Sequence, residues 1–256
     1  DKCLEIGEKS GKEFSIEKQL RAMQDSWIPV MFDCSETYRN TETYVLKGAE
    51  DCTALLDEQI VMAQAMQFSP FKGVFSEEID SWVEQLMYVS ECLDEWMKVQ
   101  AAWTYLQPIF DSPDIVKQLP TESKKFKSVD NIWRKVMNMV HKNPAALAMC
   151  SQEGLKDKWI QANVDLEAVQ KGLEDYLETK RGAFARFYFL SNDELLEILS
   201  QTKDPTRVQP FLSKVFENMS KLTFQDDLTV TQMHSKEGEI VDYVTARHTA
   251  DKNVEA

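Results

Sequence analysis

The sequence predicts a mainly α-helical chain: an elongated array of long helices in bundles, with small β-hairpins and a mixed α+β subdomain towards the C-terminal end. Three observations lead there. Gly and Pro number only 8 each in 256 residues, so long segments run without a breaker. Apolar residues recur at threes and fours through two long stretches, the spacing of a single helix face. Past Gly182 that spacing gives way to an aromatic run and then to alternation. The division falls there. Residues 1–183 read as helical subdomains with a β-hairpin at about 29–47, and residues 184–256 as a smaller mixed α/β subdomain.

The first helix spans Glu13 to Trp27 and stops at Pro29, whose ring cannot continue the ladder. Val30–Phe32 and Thr43–Leu46 flank the polar stretch Ser35–Thr41, the pattern of a hairpin. Leu55, Leu56, Ile60 and Ala63 return to helical spacing between Ala49 and Gln67. Ser69-Pro70 then reads as an N-cap with Pro at the first helical position, opening a helix from Phe71 to Leu106. Its stripe is Phe75, Ile79, Trp82, Leu86, Val89, Leu93, Trp96, Val99 and Trp103. At 1.5 Å per residue it would be about 50 Å long. Such a stripe needs a partner helix.

Ser112-Pro113 repeats the device for a short helix ending before Pro120. From Thr121 to Lys142 one face carries Phe126, Val129, Ile132, Trp133, Val136 and Val140, and Asn143-Pro144 starts a brief helix. The second long helix runs from Glu153 to Gly182, with a heptad-like seam of Leu155, Trp159, Ala162, Leu166, Val169, Leu173 and Tyr176. The aromatic run Phe184–Leu190 has β propensity, and Ser191 to Glu194 is a capping box opening another helix. Asp204-Pro205 starts a helical stretch to Lys221, interrupted at Pro210. Leu228–Thr231 and Ile240–Val244 read as strands around a turn at Lys236–Gly238. No repeat of fixed period occurs, which argues against a regular solenoid.

Composition narrows the partners. Lys plus Arg number 29 against 43 Asp plus Glu, a net charge of −14, with a pI of 4.8. That charge disfavours nucleic acid and anionic membranes as partners. Cys3, Cys34, Cys52, Cys92 and Cys150 are odd in number and contain no CxxC pair, the pattern of free thiols in a reducing compartment. No stretch approaches the roughly 18–20 apolar residues of a membrane span. Asp1–Glu5 is charged and lacks the apolar core of a signal peptide. The expectation is a soluble intracellular protein, or a piece of one.

Catalytic chemistry finds no footing. Gly7-Glu8-Lys9-Ser10-Gly11-Lys12-Glu13 resembles a phosphate-binding loop only in outline: one residue is missing between the glycines, and Glu stands where magnesium needs Ser or Thr. His141, His234 and His248 are far apart, without partners at ligand spacing. Pairs such as Glu77-Glu78 and Asp226-Asp227 are commonplace in so acidic a chain. No GxSxG occurs, and no Cys sits in an evidently electropositive context. The expectation is no catalytic, cofactor-binding or metal-ligating residue. Trp82, Trp96, Trp103, Trp133 and Trp159 have two readings, partner-binding hot spots or buried core, and helical spacing favours core.

Several stretches, in order, resemble the linker that precedes the AAA+ motor ring of dynein heavy chains. The clearest is Phe187-Tyr188-Phe189-Leu190-Ser191-Asn192-Asp193-Glu194-Leu195-Leu196-Glu197-Ile198-Leu199, running on to Asp204-Pro205. Others are Trp96 through Trp103-Thr104-Tyr105-Leu106-Gln107-Pro108-Ile109-Phe110, and Leu119-Pro120-Thr121-Glu122-Ser123-Lys124-Lys125-Phe126. Shorter matches are Ser69-Pro70-Phe71, Tyr176-Leu177-Glu178 before Arg181, and Ser235-Lys236-Glu237-Gly238-Glu239. Together they cover Leu20 to Val244. Their wording is more similar to axonemal than to cytoplasmic dyneins.

The resemblance implies a lever that arches over the ring and switches between bent and straight forms. It also implies a place in the cytoplasm and cytoskeleton, at the axoneme of a cilium or flagellum. Partners would be the AAA+ ring of the same heavy chain and, through the upstream tail, other dynein subunits; direct contact with the microtubule, itself acidic, is disfavoured by the segment's charge. ATP and Mg would belong to that ring, which the sequence is expected to precede. The segment itself would not be an enzyme. A lever must also bend. Gly172 and Gly182 are the hinge candidates, each lowering local helix stability by up to about 1 kcal/mol relative to Ala. A second reading of each stands equally: close helix packing at Gly172, a C-cap at Gly182. Arg186 is the candidate ring contact, although pairing inside its own subdomain is the favoured account. Two rivals remain, a non-motor helical scaffold or adaptor and a helical domain with a hidden nucleotide site. The first calls for repeated triple-helix units; the second calls for nucleotide affinity.

Overall fold

A computed structural model describes residues 2–200 and 204–249. The described chain is mainly α-helical, with one small antiparallel sheet near its C-terminal end. Two compact units emerge: Asp1–Trp103 with Ser128–Val164, and Thr104–Lys127 with Asp165–Ala256.

The first unit opens on α1 (Lys2–Ser26), longer than the sequence predicts. Only Ile16, Leu20 and Met23 of that helix are buried, so its N-terminal half has no apolar period to read. Between α1 and α2 (Ala49–Gln67), antiparallel bridges join Asp33 to Lys47 and Thr37 to Tyr44. Trp27 Nε1 donates to Gln59 Oε1 at 2.7 Å and Gln59 Nε2 donates to Ser26 Oγ at 2.6 Å, so the buried amide ties α1 to α2.

The helix predicted from Phe71 begins instead at Ser76, as α3 (Ser76–Phe110). Ser69 Oγ accepts from the Phe71 amide at 3.2 Å, which makes a tight turn. Gly73 then takes φ +46°, a left-handed conformation that interrupts helix propagation. At its far end α3 runs on past Leu106, where the sequence reading ended it, and passes through Pro108 to Phe110. So close to a C-terminus, Pro removes a single ladder bond, and Asp111 closes the helix on Gln107 O at 3.0 Å.

Every predicted α3 stripe residue from Ile79 to Trp103 is buried. In the first unit these pack on α5 (Pro120–Lys142) and on α7 (Leu155–Ala183), which follows the short α6 (Ala146–Cys150), through an aromatic column. Phe32 meets Trp96 at 5.7 Å, Trp96 meets Trp159 at 5.1 Å, Trp159 meets Trp133 at 5.8 Å, and Trp133 stacks on Trp103 at 5.3 Å. All four tryptophans are 0% exposed, so they are core. Trp103 also donates Nε1–H to Asp130 Oδ1 at 2.9 Å, and Asp130 Oδ2 accepts from Arg134 Nε at 2.8 Å.

The second unit contains α4 (Pro113–Gln118), α8 (Asn192–Leu199), α9 (Leu212–Val215) and the sheet. β1 (Met219–Phe224), β2 (Thr229–Ser235) and β3 (Ile240–His248) form an antiparallel meander with Leu222 opposite Met233 and Gln232 opposite Asp242. β1 occupies residues the sequence drew partly as helix.

The aromatic run departs further from expectation. Ala185–Phe189 is a 3-10 turn rather than a strand. Phe187 and Leu190, three apart, are buried at 3% while Tyr188 and Phe189 are 58% and 67% exposed. A strand would have put alternate residues inward. The capping box forms as read, with Glu194 N donating to Ser191 Oγ at 3.3 Å and Ser191 N donating to Glu194 Oε2 at 2.9 Å.

Candidate functional site

Among the described residues no group of three or more His, Cys, Asp or Glu is placed to hold a metal ion. His141 Nδ1 lies 2.9 Å from Cys34 O, and His234 Nε2 lies 2.7 Å from Thr223 Oγ1; each ring has a local hydrogen-bonding partner. The Gly7–Glu13 segment lies inside α1, so its amides are taken up by a helix and do not converge on a phosphate. No described helix is long and apolar enough to cross a membrane.

The five cysteines are free. Burial pushes the Cys34 and Cys52 thiols up to about 11, which keeps them protonated and unreactive at neutral pH. The neighbouring Cys150 thiol holds Cys92 below the usual thiol range, while Cys150 itself is pushed well up by Cys92 and by burial. Both are wholly buried.

The candidate mechanical site is the C-terminal part of α7 with the elements that pack on it in the second unit. Gly172 lies inside α7, and a Cβ there would stand 2.6 Å from Glu122 Cγ and 2.8 Å from Glu122 Oε1. The missing side chain is the space Glu122 fills. Gly182 differs: nothing lies within 4 Å of its Cβ position, and its φ is not left-handed, so it does not make a left-handed cap. α7 runs unbroken past both residues to Ala183.

Beyond Ala183 the chain turns sharply, with Phe184 extended at φ −135° and ψ 96°. Two arginines pin this turn. Arg181 Nη2 donates to Leu190 O at 3.1 Å and to Asn192 Oδ1 at 2.8 Å. Arg186 Nη1 donates to Val215 O at 3.0 Å, and its guanidinium lies 4.8 Å from the Phe216 ring centre. Phe184 packs against Phe187 at 4.9 Å and Phe216 at 6.3 Å. Arg186 therefore pairs inside its own unit. Tyr188 OH donates to the Glu178 carboxylate, and that hydrogen bond raises the Tyr188 hydroxyl above its ordinary range. Lys214 pairs with Glu194 and holds that carboxyl below the usual range.

Sequence reasoning allowed close packing at Gly172 but did not name Glu122 as the group packed there, and it missed the clamp by Arg181. Neither shows in an apolar pattern: the Arg181 bonds end on a backbone carbonyl and a side-chain amide, the Glu122 seat joins two helices, and periodicity reports only which face is apolar.

The family model for the dynein heavy chain, N-terminal region 2, matches residues 1–256. Dynein axonemal heavy chain 1 of Mus musculus is 50% identical over 236 residues, which is 92% of this chain and 6% of that protein. Dynein axonemal heavy chain 12 of Homo sapiens is 46% identical over 241 residues, 94% of this chain and 8% of that protein. Dynein axonemal heavy chain 3 of Homo sapiens is 44% identical over 251 residues, 98% and 6% respectively. The chain thus spans 6–8% of the length of these relatives. Matched from residue 1 to residue 256 by the family model, and over 92–98% of its length by axonemal heavy chains at 44–50% identity, the chain belongs to the dynein heavy chain family.

Proposed function

We propose that this segment is the mechanical linker of an axonemal dynein heavy chain. It switches between bent and straight forms over the AAA+ ring and so produces the power stroke of microtubule-based movement. The observation that carries the reading is the match to the N-terminal region of dynein heavy chains over residues 1–256. The packing supports it physically. α3 is 35 residues long and α7 29, and the tryptophans that lock them in the first unit leave little room for flexing. The segment's own side chains do no chemistry in this reading. ATP and Mg act in the ring of the longer heavy chain, and that ring is the segment's main partner. Other dynein subunits attach through the upstream tail. The place of work is the axoneme of a cilium or flagellum.

The bend is assigned to the end of α7, around Gly172 and Gly182, where a hinge would concentrate its backbone change in few residues. Val89→Pro in α3, a fully buried position, tests the lever in a heavy chain carrying this segment. Breaking the helix there should leave ATP turnover nearly intact while microtubule gliding slows severalfold. Unchanged gliding would refute the lever, and loss of ATP turnover together with gliding would make the segment a folding support for the ring.

A further inference from the structure

A cluster of lysines lies at the junction of α4 and α5 in the second unit of this acidic protein. Lys117, Lys124, Lys125 and Lys127 fall within eleven residues and are all exposed. A single acid, Glu122, stands among them. That carboxylate is turned towards Gly172 of α7. Among the described residues none of the four lysines takes part in an ion pair, although Lys47, Lys98, Lys156 and Lys214 elsewhere all do. The chain as a whole carries 43 acids against 29 bases. Four uncompensated ammonium groups on such a background form a local positive field that is available to a partner.

We propose that Lys117, Lys124, Lys125 and Lys127 form a docking surface for a carboxylate-rich polypeptide segment of another protein. The chemistry of the patch selects that partner over other anions. It holds no Arg, so it lacks the planar fork that grips phosphate bidentately. Its one aromatic ring, Phe126, is 6% exposed and stacks on Phe110 at 5.1 Å, so no base can stack there. Leu119 is 7% exposed and Ile115 is wholly buried, which leaves no large apolar side chain to enter a bilayer. A long polyanion or a charged membrane would also meet the acidic remainder of the surface. A short acidic segment meets only the lysines.

The test is fluorescence anisotropy of a labelled short polyglutamate peptide with the 256-residue chain at increasing salt. Binding should weaken steadily with salt. It should also fall at least about tenfold when all four lysines become Glu. A control reverses Lys2, Lys18, Lys142 and Lys158, four exposed lysines elsewhere, for the same change of net charge. The control should retain affinity within about twofold, because distant exposed charges are screened. A Lys→Gln version of the patch, checked by circular dichroism alongside the others, covers the case in which four new carboxylates unfold the helix. Parallel titrations use phosphatidylserine vesicles and a single-stranded oligonucleotide. The proposal is overturned if the peptide does not bind, if patch and control variants lose affinity equally, or if vesicles or oligonucleotide bind better than the peptide.

Discussion

Gly172 and Glu122 share one volume: a methyl group on Gly172 would stand 2.6 Å from Glu122 Cγ, closer than nonbonded carbons approach. Gly is therefore required at this point of α7 for as long as Glu122 keeps its rotamer. Gly182, ten residues on, has open space around it and no such constraint.

Gly172→Ala should consequently fail to give the gain of about 1 kcal/mol that Gly→Ala gives in an open helix. In a Glu122→Ala background it should recover that gain. Urea unfolding of the two single variants and the double reads the coupling directly. Additive effects would show that Glu122 moves aside freely. Gly182→Ala should stabilise by up to about 0.5 kcal/mol, reduced by its place in the last turn.

Asp130 supports the tryptophan column. Asp130→Ala would leave the wholly buried Trp103 indole N–H without its acceptor, at a cost of about 2 kcal/mol. Asp130→Asn retains a carbonyl for Trp103 and gives up mainly the Arg134 ion pair, a loss of about 0.5 kcal/mol. Equal losses from the two substitutions would place the stabilisation in the ion pair instead.

The helices of the core were largely legible because their burial is periodic. The α3 stripe from Ile79 to Trp103 and the α7 seam from Leu155 to Leu173 are buried as their spacing required. Proline and serine punctuation placed α4 and α8. What the sequence hid had a common cause, an absence of periodic burial. The first half of α1 packs against little, and Phe184–Leu190 folds as a 3-10 turn because Phe187 and Leu190 turn inward at a spacing of three. Close packing at Gly172 was one of the readings open to the sequence, but the partners around the hinge candidates were illegible for a different reason. Glu122, Arg181 and Val215 reach their partners through tertiary geometry, which no local pattern encodes.

Acid should loosen the start of α8. Lys214, then the Ser191 amide, hold the Glu194 carboxyl below its ordinary 4.5. A carboxyl depressed in the folded state contributes its full stabilisation above the unfolded value and loses it as pH falls through the lower, folded value. The advantage of the native chain over Lys214→Met in thermal unfolding should therefore be constant near neutrality and shrink below about pH 4.5. An advantage independent of pH down to 3 would contradict this.

The loop between the bridges Asp33–Lys47 and Thr37–Tyr44 contains Glu42 at φ 56°, a left-handed conformation that Glu adopts reluctantly. Its side chain is exposed. Glu42→Asn should stabilise the first unit by about 0.5–1 kcal/mol, since Asn tolerates this region. Unchanged or lower stability by chemical denaturation would show that the turn is unstrained.

The lever reading is tested most directly by energy transfer between a dye on this segment, at exposed Lys18 on α1, and a second dye on the AAA+ ring of an active axonemal heavy chain. A linker that bends and straightens predicts two transfer efficiencies that alternate with nucleotide state. A single efficiency in every nucleotide state, from a motor that still hydrolyses ATP and moves microtubules, would contradict it.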